Sequence, residues 1–328
     1  MALRKIVWVT TVLLAAAWGC SHNEKNYVEI DDESTSAPGV IEKASGDVSS
    51  PTNDASESQV ASVVTKDADE VPTQNGDLNK SLVAPKFDAK GVSVDLTGVN
   101  FDGVDDPKEF ERWVKVKVVR GAGVLTPKAL QTFSQMYELR EFLWQDAQVS
   151  EDANVPFCSF AGLPKLTKVR LTGLRYVDRD EFPPFAFALS KNPSLEELDI
   201  SGSSVTADAL AALNYEIGFP KLARLNLYHT KIGDAGVKGI LPLKDRLVWL
   251  NVDDAGITSE AAPCLEQFKK LTFLHVGRST LDDSCVESLA KLTELKKIHV
   301  TRCGITESGA DKLRQALPNC EVVSVPEK

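Results

Sequence analysis

The 328-residue chain has no excess of basic charge, no paired-cysteine motif and no catalytic signature. Its 37 lysines and arginines stand against 47 acids, a formal charge of −10. That balance disfavours nucleic acid, whose phosphates call for a basic surface. There is no G-x-S-x-G elbow, phosphate-binding glycine loop, H-E-x-x-H or Ser-His-Asp arrangement, so nothing points to an enzyme or a cofactor. Asp253 and Asp254 are adjacent carboxylates without a partner acid across a cleft, and are expected on a solvated rim. The six cysteines include no C-x-x-C pair and no zinc spacing. No metal site is expected. His275 and His299 fall at equivalent places in successive repeats, but a third ligand is not evident, and a polar surface role is expected for them.

The N-terminal apolar run is also too short to be a comfortable membrane span. From Ile6 to Gly19 it covers about 21 Å as a helix, against a hydrocarbon core of about 30 Å. Preceded by Arg4 and Lys5 and followed by Ala17-Trp18-Gly19-Cys20, it reads as an export signal over residues 1–19. The motif resembles a bacterial lipobox, which implies cleavage before Cys20 and lipid on that cysteine, with Trp18 departing from the usual small residues. Ordinary cleavage after Ala15-Ala16-Ala17 and an uncleaved anchor are the alternatives. If Cys20 carries lipid, the protein is exported and held at the cell envelope, with the outer membrane as the expected site and the domain facing the periplasm or the surface.

Residues 20–86 lack what a core requires. Between Ser21 and Pro85 there are thirteen acids, four lysines, one tyrosine and no Phe or Trp. Such a stretch cannot bury enough apolar surface to offset its ordering entropy, and is expected to be a disordered acidic tether. Its nine net negative charges account for nearly the whole formal charge, leaving the rest of the chain close to neutral. About 65 flexible residues span about 45 Å on average, enough to hold a domain clear of a membrane.

What the chain does have is a recurrent spacing, an apolar residue followed by others three, five and ten positions on. Leu195, Leu198, Ile200 and Val205 form one instance. Leu222, Leu225, Leu227, Ile232 and Leu247, Leu250, Val252, Ile257 follow, then Leu271, Leu274, Val276, Leu281 and Leu295, Ile298, Val300, Ile305. Leu139, Phe142, Trp144, Val149 and Leu166, Val169, Leu171, Tyr176 extend it backwards, at steps of 24 to 29 residues. A fainter copy starts at Gly91 with Val94, Leu96 and Phe101, and Val114 to Val118 alternates like a strand in a register the sequence does not fix. Phe182-Pro183-Pro184-Phe185 fits a longer outer connection. A period of this length means a solenoid of stacked units.

The spacing resembles the leucine-rich repeat family over Gly91 to Val325. The resemblance implies an α/β solenoid over residues 87–328, a curved horseshoe with parallel strands on its concave face and helices on its convex face. Positions zero, three and five would point inward from each strand, and position ten would turn inward at the strand exit. Thr206, Thr258, Asp282 and Thr306 are placed to cap the outer helices, whose apolar faces would include Leu210 with Leu213, Val237 with Ile240, Val286 with Leu289, and Leu313 with Leu317. Position eight holds Ala147, Leu174, Ser203, Thr230, Ala255, Ser279 and Cys303 rather than asparagine, which looks like the helix-bearing, ribonuclease-inhibitor-like or cysteine-containing branch. Leu317 to Val323 resembles a closing half-repeat, as found in bacterial members. Beyond Cys20, Cys303 is expected in the core, and one disulfide among Cys264, Cys285 and Cys320 is open, with pairing undetermined also for Cys158.

Function is expected on the strand face, at positions two, four, six and seven. Arg224, Trp249, Phe273 and Lys297 fall at position two, and Asn226, Asn251, His275 and His299 at position four. Tyr228 with His229, Asp253 with Asp254, Gly277 with Arg278, and Thr301 with Arg302 fill positions six and seven. Aromatic and arginine side chains of this kind dominate binding energy in protein interfaces. A protein partner is therefore expected on this face, with two alternatives: a carbohydrate or envelope polymer stacked on Trp249, Phe273 and Tyr228, or a structural role as an envelope spacer.

Overall fold

A computed structural model describes residues 84–99, 113–211 and 218–324. The export signal, Cys20, nearly all of the acidic stretch, Phe101 and Leu213 lie outside the described residues.

Among the described residues twelve strands form one open sheet. They are β1 Lys86–Phe87, β2 Ser93–Asp95, β3 Val118–Val124, β4 Glu141–Val149, β5 Lys168–Leu171, β6 Arg175–Tyr176, β7 Glu197–Asp199, β8 Arg224–Asn226, β9 Trp249–Asn251, β10 Phe273–His275, β11 Lys297–His299 and β12 Glu321–Val323. Each pairs with the next in sequence except β6, which pairs with β4 and leaves β5 beside β7. All pairings are parallel apart from β1 with β2. This is the solenoid that the spacing implies. From β7 onward the strands are three residues long and share one register, so Leu198, Leu225, Leu250, Leu274 and Ile298 lie side by side.

Positions zero, three, five and ten are buried as expected in all seven full copies, from Leu139 and Phe142 to Val300 and Ile305. Val94 and Leu96 are buried too. Outer segments return as short α or 3-10 turns, among them Gly233–Gly239, Ala262–Leu265, Val286–Leu289 and Glu307–Ala316. Thr206, Thr258, Asp282 and Thr306 each accept a backbone N–H at these starts. Two aspartates strengthen the caps between coils: Asp234 accepts from the backbone and hydroxyl of Thr258, and Asp283 does the same for Thr306. Pro184–Lys191 is a 3-10 turn in the longer connection expected there. The stack closes on β12, which pairs with β11.

The alternating run at Val114 to Val118 is not itself the strand. Residues 114 and 115 form a turn, Val116 and Val119 point inward, and β3 begins at Val118. The register was obscured because position five of this repeat is Gly121. A Cβ there would fall 2.2 Å from the ring of Trp144, which fills the space from the next coil. Trp144 stacks on Phe142 at 5.5 Å between centroids and donates its Nε1–H to the Gly123 carbonyl at 2.9 Å.

Position eight, which holds no asparagine, bonds within its own repeat in three of the seven copies. Thr230, Ser279 and Cys303 donate to the position-five carbonyls of Leu227, Val276 and Val300 in their own repeats. Cys303 is half-buried rather than enclosed. Cys264, Cys285, Cys303 and Cys320 are free thiols, so the disulfide left open among Cys264, Cys285 and Cys320 is not formed. Burial pushes the Cys285 thiol up to about 12, which leaves it inert as a nucleophile.

Candidate functional site

The strand face from β8 to β11 gathers the expected residues into two groups. The first is a stack at position two. Trp249 and Phe273 lie opposite each other in the β9–β10 register, with ring centroids 4.8 Å apart and planes within 6°. The Arg224 guanidinium covers the Trp249 ring at 4.7 Å, a cation–π contact. His299 leans on Phe273 at 5.6 Å. Both aromatic residues are half-buried on the strand face, outside the core.

The second group sits where the chain leaves the strands. Asp253 is 2% exposed and accepts from Arg278 Nε at 3.1 Å and from Nη2. This corrects the expectation of a solvated rim: only Asp254 lies near one, hydrogen-bonded to the exposed His229 at 2.6 Å. Asp253 sinks because position six of the following repeat is Gly277. A Cβ there would stand 3.0 Å from the carboxylate and 2.7 Å from the Thr301 carbonyl. Arg278 reaches back across one coil and lies over the Tyr228 ring at 4.9 Å. The Asp253 hydrogen bond holds its guanidinium yet more firmly protonated. Tyr228 therefore belongs with Arg278, not with the Trp249 stack.

Position four carries two kinds of side chain. Asn226 and Asn251 turn their amide oxygens onto the backbone N–H of Tyr228 and Asp253, at 3.1 and 3.0 Å, as Asp199 does for Ser201. Their first role is thus to shape the strand exit. His275 and His299 break that pattern and pack together at 4.6 Å between centroids. The His275 Nε2 is buried without a hydrogen-bond partner and stands 3.7 Å from Asp253 Oδ2. Burial holds both imidazoles below the ordinary histidine range. Among the described residues no group of three or more His, Cys, Asp or Glu is arranged to hold a metal ion.

Position seven has a feature that sequence reasoning missed. In all nine repeats its backbone is left-handed, at Gly98, Gly123, Asp146, Gly173, Gly202, His229, Asp254, Arg278 and Arg302. Glycine takes this conformation freely, whereas other residues are strained in it. Four of the first five repeats use glycine; none of the last four does. The glycines were visible in frame and could have marked the position. An open notch of about 390 Å³ lies along this edge, lined by His229, Thr230, Lys231, Gly233, Asp254 and Gly256. Asn192 was also missed. It stands where Met136, Leu163, Phe219, Phe268 and Leu292 stand in other repeats, and it is fully buried, donating to the Ala161 and Leu163 carbonyls at 2.7 and 2.9 Å.

A family model described as a leucine-rich repeat matches residues 191–213. Among solved structures, internalin C2 of Listeria monocytogenes is 20% identical with a TM-score of 0.46, over 62% of this chain and 77% of that one. A second internalin of the same organism is 13% identical with a TM-score of 0.41, over 68% of this chain and 71% of that one. A search of curated proteins finds no match.

Proposed function

Because the domain is a leucine-rich repeat solenoid, we propose that it is a non-enzymatic binding module that takes a protein partner on its strand face between Arg224 and Arg302. One observation carries this reading: the Arg224–Trp249–Phe273 stack offers a rigid, partly desolvated strip. Anchors already held in place lose little conformational entropy on binding, which favours affinity. Acids flank the strip on both sides: Glu197 pairs with Lys168 at 2.8 Å and with Arg224 of the stack at 3.5 Å, and Glu321 pairs with Lys297 at 2.9 Å.

The same geometry weighs against a carbohydrate. Sugars pack on open ring faces, but Arg224 and Phe273 cover the two sides of Trp249, and Arg278 lies on Tyr228. What the stack offers outward is ring edges, suited to side chains and peptide groups. An envelope spacer would have no use for such a strip.

The export signal and the acidic tether support display at the bacterial cell envelope through lipid on Cys20. Labelling growing cells with a radioactive fatty acid tests this: label on the wild type and none on Cys20→Ser is expected, and label on both would overturn it. For the strand face, partners are captured from envelope extracts at pH 8 and their affinities measured. A Trp249→Ala, Phe273→Ala double variant should bind more weakly by about 2 kcal/mol or more, roughly thirtyfold. Unchanged affinity of a correctly folded double variant would sink the assignment.

A further inference from the structure

We propose that His275, Asp253 and Arg278 form a proton-operated switch on the strand face. Uptake of one proton by His275 draws Asp253 away from Arg278, frees the guanidinium from the Tyr228 ring and turns a neutral cluster positive.

The geometry has three parts. The His275 Nε2 is buried and unpartnered, which costs free energy unless something gives that atom a use. Asp253 Oδ2 stands 3.7 Å away, too far for a hydrogen bond and close enough to be drawn in. That carboxylate is enclosed and already accepts from Arg278 on both oxygens, so a proton on His275 would set a second cation against Arg278 for Oδ2. With His275 neutral, Asp253 and Arg278 cancel and the cluster carries no net charge. With His275 protonated, one buried carboxylate faces two cations and the cluster carries +1.

Every charged group that faces His275 bears on the outcome. From the β9 exit comes Asp253, which favours the proton. From the turn after β10 comes Arg278, which opposes it while it stays in place. From β11 comes His299, whose own charge would repel a proton on His275, so the first proton is shared out within the pair before a second is bound. His299 in turn feels Lys297 beside it and Glu321 on β12. Asn251, opposite His275 in the β9 register, is uncharged. Burial keeps His275 neutral at pH 7, as a switch working on the acid side requires.

Arg278 is also set to move. Its backbone is left-handed at φ 45°, as at every position seven, and its guanidinium is shared between Asp253 and the Tyr228 ring, so losing Asp253 removes its only anionic partner among the described residues. A face that gains one positive charge below neutral pH gains affinity for acidic partner surfaces and loses it for basic ones. This consequence rests on the strand face being the binding surface; the switch itself does not, and is tested without a partner.

The test follows the imidazole signals of His275 and His299, the Arg278 Nε–H and the Tyr228 ring by NMR from pH 8 to pH 5. Arg278 and Tyr228 should move with the midpoint of His275. In His275→Gln, which preserves size and hydrogen bonding, both should stay still over the same range. In His299→Gln the His275 midpoint should rise. If His275 titrates while Arg278 and Tyr228 remain unmoved, or if His275 takes no proton before circular dichroism reports unfolding, the switch is wrong. Loss of partner binding at pH 8 in the Trp249 and Phe273 variants bears on the binding surface alone, so the two readings fail separately.

Discussion

Up to Asp199 the strand face neutralises its own charges, whereas from Arg224 onward it carries rings. In the earlier coils Lys168 pairs with Glu197 and Arg170 with Asp199 at 3.0 Å, and position seven is glycine in four repeats of five. In the later coils position two becomes an aromatic stack, position four becomes a histidine pair, and position seven holds only strained side chains. Both halves share the same core frame, so the solenoid tolerates either surface. The earlier half shows what the fold needs from its strand face. What the later half adds at a cost in strain is best explained by contact with something else.

The sharpest break between core and face lies in two adjacent residues. Leu250 is fully buried in the ladder of position three, while Trp249 lies half-buried on the strand face. Leu250→Ala should lower unfolding stability by about 2–5 kcal/mol in a urea titration. Trp249→Ala should cost well under half of that, since it removes one ring stack and one cation–π contact on the strand face and leaves no core cavity. Equal losses would mean that the stack belongs to the core and that the two surfaces differ less than their chemistry suggests.

The core frame was legible because each coil repeats it, so that an error in one copy is corrected by the next. Leu222, Leu247 and Leu271 could be placed without any structure. Legibility failed where a repeat depends on its neighbour. Gly121 hides a position because Trp144 fills it from the next coil. Asp253 reads as a surface acid, yet Gly277 makes room for it and Arg278 reaches back to it. The aromatic group was placed correctly at the level of strands, but spacing along one chain does not report which ring faces are covered. Sequence identified Trp249 and Phe273 as neighbours; only rotamers separate Tyr228 from them.

Position seven offers a gentler test of the two halves. At Gly202 a Cβ would have room, its nearest neighbour being the Gly173 nitrogen at 3.7 Å, so Gly202→Ala carries the left-handed strain alone. That strain is about 1–2 kcal/mol, partly offset by a stiffer unfolded chain, and a net loss of about 1 kcal/mol is expected. Arg302→Gly should do the reverse. Arg302 is exposed at φ 55° with no ion pair among the described residues, so its replacement should stabilise by about 0.5 kcal/mol in the same titration. Should Arg302→Gly destabilise instead, the side chain serves the fold and the contrast with the glycine repeats loses its functional meaning.

The smallest expected effect is in pH, and it belongs to the later half alone, because every histidine among the described residues lies there. Burial lowers both His275 and His299 below their ordinary value of 6.5. At mildly acidic pH the folded domain therefore binds fewer protons than the unfolded chain, and stability falls as protons are added. Their contribution is fully present above pH 6.5 and is lost as the pH drops from there towards the folded values. The carboxylates with lowered values, Asp88, Asp95, Glu138, Glu266 and Asp282, lose theirs only below their ordinary 3.8 and 4.5, so the two windows are distinct. Thermal unfolding at pH 7.5 and 5.5 isolates the histidine window. The wild type should melt lower at pH 5.5, and the His275→Gln, His299→Gln double variant should show a smaller gap between the two conditions. A gap of the same size in both would place the pH dependence elsewhere, and would leave the buried His275 nitrogen as a packing feature no different in kind from the closed charges of the earlier coils.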